Sequence, residues 1–567
     1  MSFYFPHRIS GLGVILGSLG FWFLPVPGIA NSVVAAEKIY ISYGAIERSI
    51  SVNSLEGYAK EGIIDDDLAT YAEYVSPGRL LQLQRVLLAR IDLSPVAVSQ
   101  FLYTPTGKTL LERLGEVVQT ESRQSGFYAL RAALILAAAD PEGLTLLNIL
   151  QKFPTNVRVN MGRTLQLAEA LETLISQSRR AIALISERSI AAAQQQEVDF
   201  TQLPDLRSPG GFSWSKQTLK LTDRRRHRTF VADLYLPTPD SRLFPVIVIS
   251  HGLGSDRTSF IYLAEQLASY GFAVAVPEHP GSNAEQLRLL FSGQAAEVAE
   301  PNEFINRPLD VKYLLDELER LNAAHPSWRL NVQQVGIIGQ SFGGYTALAL
   351  AGASLNFNQL RRDCDRPKDV WNLSLLLQCR ALALPLTQYN LQDRRVKTAI
   401  AINPFTSSIF GELGLKKIQL PVAIVSSSAD TIAPALPEQI IPFAWLTTPQ
   451  KYLVSIDRAT HFSTIGESVS DSDPIPLPAQ VIGPNPAIAR RYISVLSVAF
   501  MKTYLAKNPL YRPYLNSSYI ETISQAPLDA SLVSSLPLAQ LAESICQEIA
   551  APQNFCPQAY RRNRSRN

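Results

Sequence analysis

The sequence predicts an α/β fold with a mostly parallel sheet flanked by helices, preceded by an all-α region. Three observations carry that prediction. Between residues 212 and 505, short apolar runs alternate with helix-forming stretches, the pattern of a sheet covered by helices. The runs Val246–Ile249 and Phe272–Val276 are continuously apolar, as strands buried on both faces must be. Before residue 198, leucines and alanines recur at helical spacing over long stretches.

Taken in order, residues 1–36 read as an export signal. His7 and Arg8 open it, Ile9 to Leu24 form the apolar segment, and Val34-Ala35-Ala36 offers small residues for cleavage before Glu37. The mature chain is expected in the periplasm or outside the cell, with an uncleaved membrane anchor as the alternative. Cys364 and Cys379 lie close together, as do Cys546 and Cys556, and in an oxidising compartment they read as two local disulfides. Free buried thiols are the alternative. A net charge of +3 on 567 residues argues against nucleic acid or a polyanionic substrate. The basic end, Arg561 to Arg566, reads as a solvated tail, with contact to an anionic membrane surface as the alternative.

Residues 37–198 read as a helical domain, after a brief β-prone opening at Lys38–Tyr43 and Arg48–Val52. Turn signals at Ser94-Pro95, Thr104-Pro105, Asp140-Pro141 and Phe153-Pro154 divide it into about five to seven helices. Thr109 is a candidate N-cap, and a long helix runs from about Leu165 to Gln195. No histidine and no metal-ligand cluster occurs there, so the region reads as a bundle packed on the next domain, or as a lid or docking module. Residues 199–211, rich in Pro and Gly, read as a linker.

Residues 212–505 are the expected catalytic domain, with 506–567 as a C-terminal extension. Thr218–Thr222 and Thr229–Leu236 form an antiparallel hairpin whose arginine-rich turn, Asp223 to Arg226, is expected to be solvated. Helices are expected up to Tyr270, over Pro308–Leu321 and over Ile488–Leu505, with later strands at Thr398–Ile402, Val422–Ser426 and Tyr452–Ile456. Between Val335–Ile338 and the helix-forming run from Tyr345 lies Gly339-Gln340-Ser341-Phe342-Gly343-Gly344. Strand, Gly-x-Ser-x-Gly, helix is the context of a nucleophile elbow, so Ser341 is the candidate nucleophile and Gly339 and Gly343 are its small flanks. A serine hydroxyl needs a base, and the base needs an orienting acid. His461 and Asp430 each follow a strand, and the order Ser341, Asp430, His461 is that of α/β hydrolases. Asp457 and Asp393 are weaker rivals for the acid. The backbone N–H groups of Phe342 and Leu253 are the candidate oxyanion donors, with His251 bracing the second loop. His279 reads as structural or at the pocket rim.

Ser250-His251-Gly252-Leu253-Gly254, Arg257-Thr258, Gly271-Phe272, Glu278-His279 and Gln340-Ser341-Phe342-Gly343-Gly344 together resemble the platelet-activating-factor acetylhydrolase family. Ala429-Asp430-Thr431, Lys451-Tyr452-Leu453 and Ala459-Thr460-His461-Phe462 resemble bacterial cutinase-like polyester hydrolases, related to the dienelactone hydrolases. The resemblance implies an α/β-hydrolase fold and a Ser-Asp-His esterase without metal or cofactor. It implies a small-molecule or lipid ester as substrate, with platelet-activating-factor-like phospholipid esters among the candidates. The eukaryotic acetylhydrolases carry their acid after an earlier strand. Here that position reads Ile402-Asn403-Pro404, which favours Asp430 and weakens transfer of the phospholipid substrate. The front domain resembles the uncharacterised helical region ahead of some exported bacterial hydrolases. An apolar insertion, 355–395, reads equally as a lid or as a filler. An exported serine peptidase is the alternative enzyme, and a non-catalytic hydrolase-like binding module is the alternative of another class. Oligomeric state is not legible.

Overall fold

The structure is a computed structural model that describes residues 35–44, 46–195, 198–238, 241–365, 372–466 and 479–546. The expected export signal up to residue 34, Cys556 and the basic tail therefore lie outside the described residues.

The front region is mainly helical but not all-α. Its β-prone opening becomes two strands, β1 (Lys38–Tyr43) and β2 (Ile46–Ser51), and two more segments, β3 (Val118–Thr120) and β4 (Val157–Asn160), join them in the order β2-β1-β4-β3. The two added strands are three and four residues long, too short to leave a period in the sequence. Thr109 is not an N-cap. Pro105, whose ring pre-sets a helical φ, takes the first helical position, so the cap moves to Thr104, whose side chain accepts from Gly107 N–H. The long helix Met161–Gln194 leaves this region and enters the next. Its Ala181 and Ile185 are fully buried in the core of the main sheet.

That sheet has nine strands: β5 (Trp214–Asp223), β6 (Arg228–Pro237), β7 (Phe244–Ser250), β8 (Ala273–Pro277), β9 (Leu330–Gln340), β10 (Val396–Ile402), β11 (Val422–Ser427), β12 (Lys451–Ile456) and β13 (Ala530–Val533). The order is β13-β12-β11-β10-β9-β7-β8-β6-β5, with β7 to β12 parallel and the ends antiparallel. The continuous apolar runs follow from burial on both faces. In β7, Val246 and Val248 face one core layer, while Ile247 and Ile249 face the other. Each such side chain, wholly removed from water, contributes about 1.5–3 kcal/mol. Helices Glu303–Ala324 and Phe342–Leu350 cover the first face, and Ile261–Ser269 and Pro486–Phe500 the second.

The helix expected from Pro308 starts five residues earlier, at Glu303. Proline has no N–H to give to the carbonyl four residues back, and the hydroxyl of Tyr345 donates to that carbonyl, Phe304 O, at 2.8 Å instead. Residues 199–211 are fastened down: Leu206 is fully buried, and Gln266 Nε2 donates to the carbonyls of Leu206 and Ser208. Beyond residue 505, β13 pairs with β12, and Leu532 N–H donates to Ser189 Oγ on the long helix. In the insertion, Leu375, Leu376, Ala381 and Leu384 lie in the core, whereas Leu373 and Leu386 are exposed. Cys364 and Cys379 form a disulfide across it. Among the described residues, no helix is long and apolar enough to cross a membrane.

Candidate active site

Because β7, β9, β11 and β12 run parallel, their carboxyl ends share one edge of the sheet, and every candidate residue lies there. Ser341 sits between the end of β9 and the helix Phe342–Leu350, at φ 54° and ψ −114°. A non-glycine residue held there stores roughly 1–3 kcal/mol of strain. The flanking glycines are sterically required. A Cβ on Gly339 would meet Gly343 O at 2.0 Å, and one on Gly343 would meet Ser250 O at 1.9 Å. Ser341 N–H donates to Ile402 O at 2.9 Å, which ties the turn to β10.

His461 Nδ1 and Asp430 Oδ2 are 2.6 Å apart, both residues being buried. The other carboxylate oxygen, Oδ1, accepts from Ile432 N–H and Ala433 N–H at 2.8 Å each, so the carboxylate is locked toward the ring. The rivals are engaged elsewhere: Asp457 accepts from Ser428 Oγ, and Asp393 is bidentate with Arg395. Ser341 Oγ makes no hydrogen bond to His461 or to any other described residue. The two loops are coupled through the main chain instead. Gln340 Nε2 donates to His461 O at 3.1 Å, and Asn403 Nδ2 reaches the same oxygen at 3.4 Å. Serine–base contacts often tighten only when substrate is bound.

Neither Phe342 N–H nor Leu253 N–H is spent on an acceptor among the described residues, and Phe342 N–H opens a helix, where partial positive charge collects. The loop carrying Leu253 is held from below by Arg307, which is fully buried. Its guanidinium donates to His251 O at 2.7 Å, Gly252 O at 3.2 Å and Ser282 Oγ at 2.8 Å, and stacks 4.5 Å from the Phe342 ring. One planar fork thus braces both candidate oxyanion elements.

Behind the loop lies a second chain of the same residue types. Ser250 Oγ is 2.9 Å from His279 Nε2, and His279 Nδ1 is 3.1 Å from Asp310 Oδ2. Ser250 is fully buried, which closes it to substrate. His279 N–H donates to His251 Nε2, so the His251 proton is on Nδ1, bonded to Gly252 O. Burial, and then the neighbouring Arg307 charge, lower His251 to about 3 and hold His279 well below its ordinary value. Both are neutral when folded and take a proton near 6.5 when unfolded. Their stabilisation is therefore present above pH 6.5 and is lost as pH falls. Burial raises Asp310 to about 6 against the pull of Arg228, and this works in the opposite sense. Burial also raises Glu278, which works in the same sense as Asp310, so unfolding stability should fall by at most about 1.4 kcal/mol per pH unit between roughly pH 6 and 4.5. Urea denaturation across that window measures it, and a flat profile would contradict it.

Comparison with known proteins points to the same fold. The family described as alpha/beta hydrolase of unknown function (DUF1400) matches residues 35–160, and that described as platelet-activating factor acetylhydrolase, isoform II, matches residues 220–310. The chain is 27% identical to the platelet-activating factor acetylhydrolase of Canis lupus familiaris, over 24% of this chain and 38% of that enzyme. The chain has the α/β-hydrolase fold and resembles the platelet-activating factor acetylhydrolases. It spans less than two fifths of the length of that curated relative.

Several residues of this candidate site are not legible in the sequence. Arg307 precedes the helix as predicted, and nothing in its local sequence marks it. Gln340 is the variable position of Gly-x-Ser-x-Gly. Asn403 stands where the acetylhydrolases carry a carboxylate, and it holds the base loop from a backbone at φ 45°. The arginine turn is not wholly solvated: Arg224 and Arg225 are exposed, but Arg226 turns in to Asp223 and Asp310. Next to it, Arg228 pairs with Asp310 and Glu303. Two buried carboxylates on one helix require such partners. Among the described residues, no three His, Cys, Asp or Glu side chains are grouped as metal ligands would be.

Proposed function

We propose that this hydrolase cleaves carboxylic esters through an acyl-enzyme on Ser341, with lipid acyl esters as its substrate class, and that it works outside the cytoplasm. Ser341 Oγ attacks the carbonyl carbon as His461 Nε2 takes its proton. Asp430 keeps the ring in the Nδ1–H tautomer and stabilises the imidazolium that forms. Phe342 and Leu253 N–H groups stabilise the oxyanion, His461 returns its proton to the leaving alcohol, and water then repeats the sequence to free the acid. The observation that carries this reading is the 2.6 Å contact between His461 and Asp430, latched beside the elbow by Gln340. The export-like start and the Cys364–Cys379 disulfide support an oxidising compartment. Asp430→Asn tests the reading. It keeps the backbone hydrogen bonds but disfavours the required tautomer, and should lower kcat on p-nitrophenyl esters by about 10³–10⁴. Unchanged kcat would remove Asp430 from the mechanism.

A further inference from the structure

Helix Phe127–Ala139 has the sequence FYALRAALILAAA, in which Arg131 is the single charged residue. Helix Pro95–Tyr103, packed against it, has no charge at all. Arg131 is only 9% exposed, and its Nε and Nη2 are buried without a hydrogen-bond acceptor. No carboxylate among the described residues pairs with it. The guanidinium is sandwiched instead, 4.3 Å from the Tyr103 ring centroid and 4.5 Å from that of Phe127. Stacking on two rings offsets part of the desolvation, but it leaves the in-plane N–H donors unsatisfied. A buried, unpaired cation that is preset and immobilised calls for an external oxyanion with acceptor oxygens in the guanidinium plane.

We propose that Arg131 is a seat for the phosphate group of a membrane lipid. The rim argues for lipid. Tyr103 is 53% exposed, Tyr128 77% and Leu136 50%, on helices that carry no other charge. Aromatic and aliphatic side chains around one cation suit the boundary between headgroups and acyl chains. Tyr103 is exposed enough to swing aside and open the guanidinium to a headgroup. The seat also has a structural route to the catalytic edge. Val96 and Gln100, on the Tyr103 helix, reach Gly293 at the end of helix Ala284–Phe291, whose Leu287 lies against Gly254 of the oxyanion loop. A lipid phosphate held at Arg131 would thus anchor the enzyme on the surface that supplies its ester, without contributing to the chemistry.

The test is sedimentation of the full-length protein with vesicles of phosphatidylglycerol, alongside titration with inorganic phosphate. Arg131→Gln should weaken vesicle binding by about fivefold, while Arg131→Lys, which keeps the charge, should retain part of it. Tyr128→Ala leaves the cation and its two stacked rings in place and removes a rim aromatic, and should also weaken vesicle binding, which guards against an Arg131 variant that misfolds. Hydrolysis of p-nitrophenyl acetate should be unchanged in all three, so failure of the seat is distinguishable from failure of the esterase reading. Equal vesicle binding by wild type and Arg131→Gln would overturn the seat. Saturable binding of inorganic phosphate at Arg131 without vesicle binding would overturn the lipid assignment.

Discussion

Ser341→Ala is expected to lower kcat on p-nitrophenyl acetate by about 10⁴–10⁶ and to leave the fold unchanged. The activity loss follows from removing the atom that, in the proposed mechanism, forms the acyl-enzyme bond. The fold is spared because Ser341 Oγ has no hydrogen-bond partner among the described residues, so nothing buried is orphaned. Alanine inherits the same backbone, φ 54° and ψ −114°, and therefore the same strain. Glycine does not: Ser341→Gly should be equally inactive but more stable by about 1 kcal/mol, since it adopts positive φ without steric cost. Steady-state kinetics and urea denaturation of the two variants separate the chemical role from the conformational one. If both variants retained wild-type kcat, Ser341 would not be the nucleophile.

Arg307→Met carries the second large effect. It keeps much of the side-chain volume but strips the donors from His251 O, Gly252 O and Ser282 Oγ, all buried. Orphaned buried acceptors, together with the carboxylates of Glu303 and Asp310 that lose a neighbouring cation, should cost roughly 3–5 kcal/mol of stability. With the loop released, Leu253 N–H loses its preset aim, and kcat should fall by about 10²–10³. Arg307 acts through the loop, so it is a positioning residue, and kcat should fall far more than KM rises. Arg307→Lys should rescue part of the stability through its charge but little of kcat, because an ammonium group cannot brace two carbonyls in one plane. A variant that lost stability while keeping full kcat would show that the fork supports the fold alone.

The main sheet was legible because burial on both faces forces continuous apolar runs, and Val246–Ile249 and Phe272–Val276 could be read directly as strands. The Gly-x-Ser-x-Gly turn was legible for a steric reason: Gly339 and Gly343 tolerate no Cβ. Asp430 and His461 could be found because each follows a strand, and chain order then pairs them. What escaped is held by partners distant in sequence. The small front sheet depends on β4 reaching β1 across more than a hundred residues, and β13 is a four-residue strand that only β12 specifies. Arg307 stayed hidden because the helix was started at Pro308. A proline reads locally as a beginning, whereas here Tyr345 makes it acceptable inside the helix. Arg226 and Arg228 look like a solvated turn until Asp310 and Glu303 are brought beneath them.

Two Ser-His-Asp sets lie within one fold; Ser250 is fully buried, and Ser341 is 7% exposed at the carboxyl ends of the strands. Mass-spectrometric mapping of the adduct left by a fluorophosphonate probe distinguishes them directly. The expected result is a single adduct on the peptide containing Ser341, abolished in Ser341→Ala and unaffected in Ser250→Ala. An adduct on Ser250, or labelling that survives Ser341→Ala, would contradict the assignment of Ser341 as the nucleophile.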